Sequence, residues 1–290
     1  MRRVATASSS ALDGVGPDGS LSIRGLSVHF GGVHALMDVH LDVSAGDIVA
    51  IVGPNGAGKT TVLNSISGLI PRALGAVVVS GRSVLGKRPS RIAELGVGRS
   101  FQHPPLLESS SILDNVVSGA HTQLGYGMAE QLVRLRKVRH AESRARDAAM
   151  ALLERAGLAQ RANDLPSSLS YGARKVIDIL RAVAAEPKLL LLDEPTSGLD
   201  RLEQTFVQDL VLSLRAEDRV TILMVEHHME VVRRAADLVV GLQAGRVVAT
   251  GPPADVLDSA EFQAAITGAK ADRRSADASS DVPSALSQRV

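Results

Sequence analysis

Along the chain, short apolar runs alternate with segments of helical periodicity. Leu21 to Phe30 alternates apolar and polar positions, the period-two signature of a strand buried on one face. Asp47 to Val52 is a near-continuous apolar run that ends in a glycine-rich loop, and a helix follows from about Lys59 to Gly68. Lys188 to Leu192, Val220 to Val225 and Leu238 to Gly241 are further compact runs rich in Leu or β-branched residues, each followed by a helix-compatible stretch. That rhythm predicts an α/β fold with a largely parallel core sheet.

The middle of the chain breaks the rhythm. Met128 to Gly157 has no strand signal, and Met128, Leu132 and Leu135 recur at helical spacing, so this stretch reads as a helical insertion. Its basic run (Arg134, Arg136, Lys137, Arg139, Arg144, Arg146) is interleaved with Glu142, Asp147 and Glu154, which predicts a solvated helix face rather than a phosphate or lipid site. Residues 1–20 and 269–290 are polar, poor in bulky side chains and without periodicity. Both read as disordered tails around one ordered domain over 21–268.

Composition narrows the class. With 45% hydrophobic residues in 290, the chain has the material for a sizeable core. No window approaches the roughly 18 uncharged apolar residues of a membrane span. The N-terminal stretch has two arginines but no continuous apolar segment behind them, so a secretory signal is not expected and a cytosolic chain is. Zero cysteines exclude a disulfide framework, thiol catalysis and a thiolate metal site. A net charge of +1 argues against broad attraction to nucleic acid.

The sharpest chemical signal is Gly53-Pro54-Asn55-Gly56-Ala57-Gly58-Lys59-Thr60, a G-x-x-x-x-G-K-[ST] phosphate loop set between a buried strand and a helix. Its glycines let successive backbone N–H groups turn toward phosphate oxygens at the positive end of the helix, and Lys59 reaches the outer phosphates. Thr60 offers a hydroxyl to Mg²⁺, and Thr61 continues the same turn. A loop of this kind alone leaves GTPases, kinases, helicases and transport ATPases open. About 130 residues downstream, Leu189-Leu-Leu-Leu-Asp193-Glu194 is an apolar strand ending in two carboxylates. Asp193 is placed to hold the metal and Glu194 to polarise an attacking water.

Just upstream of that strand stands Leu169-Ser-Tyr-Gly-Ala-Arg-Lys175, where the chain resembles the ABC ATPase family and its LSGGQ signature. The resemblance implies a P-loop cassette with a RecA-like parallel core, an antiparallel β subdomain and a helical subdomain over about 103–185. It also implies that Ser170 and Gly172 contact ATP held by a second cassette, identical or paralogous, and that Phe30 stacks on adenine. Gln102 matches the glutamine that touches Mg²⁺ and senses the membrane partner. Asp200, in Ser197-Gly-Leu-Asp200, matches the loop across the dimer, and His227 the histidine at the γ-phosphate. Taken singly, Phe30 reads equally as core, Gln102 as a surface amide and His227 or His228 as helix-start residues. Their order along the chain favours the family roles, with His228 facing solvent.

Tyr171 replaces a glycine of the signature and Ala173 a glutamine. The tyrosine is similar to the subgroup that powers uptake of branched-chain amino acids, urea or short amides, whereas Ala173 removes an amide that the family aims at the opposite nucleotide. The expectation is an ATPase peripheral to the cytoplasmic face of the membrane, working with two permease subunits and indirectly a solute-binding protein, and binding no nucleic acid. Lipid or lipopolysaccharide export is the rival within the family. A cassette acting on DNA or the ribosome, and a purely structural nucleotide-binding protein, are weaker ones.

Overall fold

A computed structural model describes residues 18–120, 136–260 and 262–264. Residues 1–17, 121–135, 261 and 265–290 lie outside this description, and with them the second expected tail, most of the first, Met128, Leu132, Arg134 and Leu135. Of the first tail, Asp18 and Gly19 are described and held, by Lys188 at 2.9 Å and the Ser80 hydroxyl at 2.8 Å.

The chain opens with β1 (Leu21–Phe30), β2 (Val33–Val43) and β3 (Ile48–Val52), followed by α1 (Lys59–Ile66). Next come β4 (Leu74–Val79), β5 (Arg82–Ser83), α2 (Pro89–Glu94) and β6 (Val97–Arg99). A helical stretch holds α3 (Ile112–Gly119), α4 (Arg136–Arg155) and α5 (Tyr171–Val183). The remainder is β7 (Leu189–Asp193), α6 (Arg201–Asp218), β8 (Thr221–Val225), α7 (Met229–Ala235), β9 (Leu238–Gln243), β10 (Arg246–Gly251) and α8 (Pro253–Leu257).

Two sheets organise these elements. The strand order β2-β1-β4-β5 forms an antiparallel sheet, and β10-β9-β3-β8-β7-β6 forms a second that is parallel except for the edge strand β10. Every residue of β3, β7 and β8 is buried, as expected of parallel strands covered on both faces. The pleat divides their side chains between two cores. Ala50, Leu190, Leu192, Ile222 and Met224 face the core shared with α5 and α6. Val49, Ile51, Leu189, Leu191, Leu223 and Val225 face the core shared with α1 and the antiparallel sheet. A one-residue slip in any of these strands would exchange the two sets.

This topology positions the site. Because β3, β8 and β7 are adjacent and parallel, Gly53, Glu226 and Glu194, each the first residue past its strand, emerge at one edge. That edge is where ligands bind open α/β sheets.

The helices α3, α4 and α5 pack on one another. A Cβ at Gly119 would fall 1.8 Å from the Arg181 carbonyl oxygen, so only glycine permits the approach of α3 to α5. On α4, Arg139, Arg144 and Arg146 are exposed, and Arg146 pairs with Asp114 at 2.8 Å. Helix α5 is tied to the sheet by a charged residue on its buried side. Asp178 is 1% exposed, accepts the Phe101 backbone N–H at 2.7 Å and pairs with Arg181 at 2.5 Å. It thereby fixes the segment that leaves β6.

Burial pushes the Asp178 carboxyl up to about 6, against the opposing pull of Arg181, the Phe101 N–H and Lys175. A carboxyl raised in the folded state contributes stability that is complete below its unfolded value and is lost as pH rises through its folded value. The stability of the natural chain relative to Asp178→Asn is therefore expected to be greatest near pH 4. It should fall by on the order of 2 kcal/mol by pH 7, measured by urea unfolding. A difference constant across that range would contradict this.

Candidate active site

The loop after β3 sets the geometry. Gly53 has φ +152, and a Cβ there would lie 2.0 Å from the Leu242 carbonyl oxygen, so the loop turns against β9 in a way only glycine allows. Gly56 and Gly58 also have positive φ, at +80 and +102, and Gly58 is the N-cap of α1. The result is an αL-bearing turn leading into a helix N-terminus, which aims backbone N–H groups at one point.

Beside this turn lies an open cavity of about 800 Å³ lined by Asn55, Gly56, Gly58, Lys59, Thr60, Thr61, Gln102, Glu194 and His227, and by Val33, His34, Ala35, Met37 and Ala244. Lys59 is 6% exposed, and its amine donates to the carbonyls of Gly53 at 2.9 Å and Pro54 at 3.0 Å. Two of its three N–H groups thus brace the loop. Burial lowers the Lys59 ammonium from the ordinary lysine value, and the nearby Glu194 and Asp193 raise it again. Gly53, Pro54 and Ala57 do not line the cavity; the Gly53 and Pro54 carbonyls hold Lys59, and the Ala57 N–H donates to the Pro54 carbonyl at 3.2 Å.

Asp193 closes β7 beside the loop. It accepts from the Thr60 hydroxyl at 3.2 Å and pairs with the buried Arg99 guanidinium at 3.4 Å. Burial raises its carboxyl above the usual aspartate range, opposed by Arg99 and the Thr60 hydroxyl. Next to it, Glu194 has φ +50, a left-handed conformation that costs a non-glycine residue roughly 1–2 kcal/mol. Its backbone is held from both sides: its N–H donates to the Val225 carbonyl at 3.0 Å, and its carbonyl accepts from the Lys175 ammonium. One carboxylate oxygen of Glu194 accepts from the Gln102 amide at 2.9 Å and stands 3.9 Å from His227 Nδ1. The other oxygen is left to accept from water.

Glu226, fully buried, anchors the end of β8. It accepts from the N–H groups of Thr196 (3.2 Å), His227 (2.7 Å) and His228 (3.1 Å), and from the Thr196 hydroxyl. Thr196 Oγ1 is also 3.0 Å from His228 Nδ1. This corrects the expectation that His228 faces solvent: it is the N-cap residue of α7, with extended backbone, and that geometry turns its ring onto Thr196 and Glu226. His227 is the more exposed ring of the two, 43% against 34%.

Not all the expected residues meet here. Phe30 ends β1 with 55% exposure, next to the hairpin that carries Val33, and does not line the cavity. Ser170, Gly172 and Asp200 lie elsewhere, at the starts of α5 and α6. Ser170 caps α5 by accepting from Ala173 N–H at 3.2 Å, and Asp200 caps α6 in a reciprocal box with Glu203. Ser170 and Gly172 line a separate groove of about 340 Å³ with Ala173 and Phe206. Arg99, Lys175, Thr196 and Glu226 were not singled out from the sequence. A lysine and an aspartate interrupting the apolar stripe of α5 were the available signal for Lys175.

The comparisons agree with this geometry. Residues 36–197 match the ABC transporter family. The chain is 35% identical, over 86% of its length and 97% of the relative's, to the high-affinity branched-chain amino acid transport ATP-binding protein LivG of Escherichia coli (strain K12). It is similar to a solved ADP conformation of an ATP-binding cassette of an ABC transporter, with TM-score 0.74, 28% identity and coverage of 86% of this chain and 98% of that one. It is also similar to the dimeric post-hydrolysis state of an ATP-binding cassette bound to ADP and Pi, with TM-score 0.68, 26% identity and coverage of 80% and 98%. The phosphate loop, the two carboxylates at the end of β7 and this similarity along nearly the whole chain have one meaning: it belongs to the ABC transporter family and is an ATPase of that family.

Proposed function

We propose that this chain powers an importer of branched-chain amino acids or related small solutes. Its support is the convergence of Lys59, Thr60, Glu194, Gln102 and His227 on one cavity, with Asp193 hydrogen-bonded to Thr60 behind it, together with the length-spanning similarity to LivG. In this reading the backbone N–H groups of Asn55, Gly56, Gly58, Lys59 and Thr60 cradle the phosphates of ATP, and the Lys59 ammonium offsets charge that builds on the outer ones. Glu194 accepts a proton from the attacking water with its free oxygen, and Gln102 and His227 hold that carboxylate in line. The new bond joins water oxygen to the γ-phosphorus as the bond to ADP breaks.

Thr60 and Asp193 are hard oxygen donors 3.2 Å apart, a distance that fits a Mg²⁺ held directly or through water, and Gln102, which lines the same cavity as Thr60, would add its amide oxygen. There the ion would supply charge neutralisation between phosphates. Phe30, exposed at the end of β1, stacks on adenine at the rim. Ser170, Gly172 and Asp200 act on ATP held by a second cassette, which accounts for their lying apart from the cavity.

The partners in this reading are that second cassette, two permeases and, indirectly, a solute-binding protein. No helix among the described residues is long and apolar enough to cross a membrane, consistent with a peripheral subunit on the cytoplasmic face. We assign the cassette to residues 21–268 and its helical subdomain to about 103–185, on the packing of α3, α4 and α5.

Glu194→Gln is expected to bind ATP within about twofold of the natural affinity and to lose turnover by about 100-fold or more, the scale of a missing general base. Full ATPase activity in that variant would overturn the role of Glu194. For the solute, cells lacking this chain are expected to lose ATP-dependent uptake of labelled leucine and to regain it with a plasmid copy. Unimpaired uptake would remove the solute assignment and leave the ATPase.

A further inference from the structure

Tyr171 stands where the resembled family carries a glycine, and its side chain makes contacts that a glycine lacks. It opens α5, and its hydroxyl donates to the backbone carbonyl of Gln102 at 3.0 Å. Its ring lies over Gly198, close enough that a Cβ at that glycine would sit 3.3 Å from Tyr171 Cε1. One turn later, Lys175 is 2% exposed. Its ammonium lies 5.5 Å from the centre of the Tyr171 ring and donates to the Glu194 carbonyl.

Helix α5 therefore grips both ends of the hydrogen bond between the Gln102 amide and the Glu194 carboxylate. Tyr171 holds the backbone that carries the amide, and Lys175 holds the backbone that carries the carboxylate. The ring joins the two grips, because the Lys175 cation faces it. A phenylalanine would keep the packing and the cation contact, and only a tyrosine adds the donor.

We propose that Tyr171 is a positioning residue that forms, with Lys175, a latch through which the orientation of α5 sets the Gln102–Glu194 pair. The same helix begins with Ser170 and Gly172, so its engagement by a second cassette is transmitted inside the subunit to its own hydrolytic carboxylate. This rests on the reading of Glu194 as the base.

Tyr171→Phe isolates the donor, and because Tyr171 is 40% exposed the substitution spares the core. In the assembly in which the natural chain turns over ATP, the variant is expected to lower kcat by about 5- to 10-fold with the KM for ATP changed by less than about 2-fold. That is the range of one lost hydrogen bond acting on the reacting arrangement rather than on binding. In a Gln102→Ala background the same substitution is expected to leave kcat unaltered, because the amide through which it acts is gone. Without nucleotide, amide hydrogen exchange of Phe101, whose N–H donates to Asp178 just before the carbonyl that Tyr171 holds, is expected to quicken by about threefold or more in Tyr171→Phe. An unaltered kcat, an equal loss in the Gln102→Ala background or unchanged exchange would each overturn the latch. Retained turnover in Glu194→Gln would instead overturn the reading of the base, whatever Tyr171→Phe does.

Discussion

Three carboxylates crowd the ends of two neighbouring strands, and the site depends on how their charge is contained. Asp193 and Val225 are register partners across β7 and β8, so Asp193, Glu194 and Glu226 emerge side by side where a polyanion is to bind. Like charges at about 4 Å repel by roughly 4 kcal/mol at the effective dielectric of a protein surface. The fold answers with three cations that are themselves almost withdrawn from water: Lys59, Arg99 and Lys175. Lys175 shows the cost: burial lowers its ammonium from the ordinary lysine value, and the surrounding Glu226, Glu194, Asp193 and Asp178 raise it. Glu226 is contained differently, by four hydrogen-bond donors from the segments after β7 and β8.

Those compensating groups come from different layers, and this makes the site a junction rather than a pocket in one element. Lys59 arrives on α1, Arg99 on β6 and Lys175 on α5, while Asp178 of α5 fixes the strand exit that carries Gln102. A shift of the helical layer must therefore be felt at Glu194, whose left-handed backbone persists only under bonds from two directions.

Much of this was legible in the sequence because the decisive strands are apolar throughout. Runs such as Leu189 to Leu192 announce a doubly covered strand, and β1, β3, β7, β8 and β9 follow the sequence reading to within a residue or two. Strands β2, β4, β5, β6 and β10 were not anticipated individually: β5 and β6 are two and three residues long, and β10 is half-exposed at an edge. The phosphate loop and paired carboxylates could be read because their chemistry sits in consecutive residues. Arg99, Lys175, Thr196 and Glu226 could not, since each takes its meaning from a partner distant in sequence, as His228 does from Thr196.

In the proposed mechanism Gly53 to Thr60 bind ATP within one chain, and the ATP is hydrolysed only against the start of α5 from a second cassette. Ser170→Arg tests this most directly, because Ser170 lies outside the cavity of its own chain. Nucleotide affinity and ATP turnover are measured on the same preparation, in the assembly where the natural chain is active. The predicted result is affinity within about twofold of natural, as for a residue with no contact to its own nucleotide, and turnover lowered by about 10-fold or more. Natural turnover in Ser170→Arg would contradict the account.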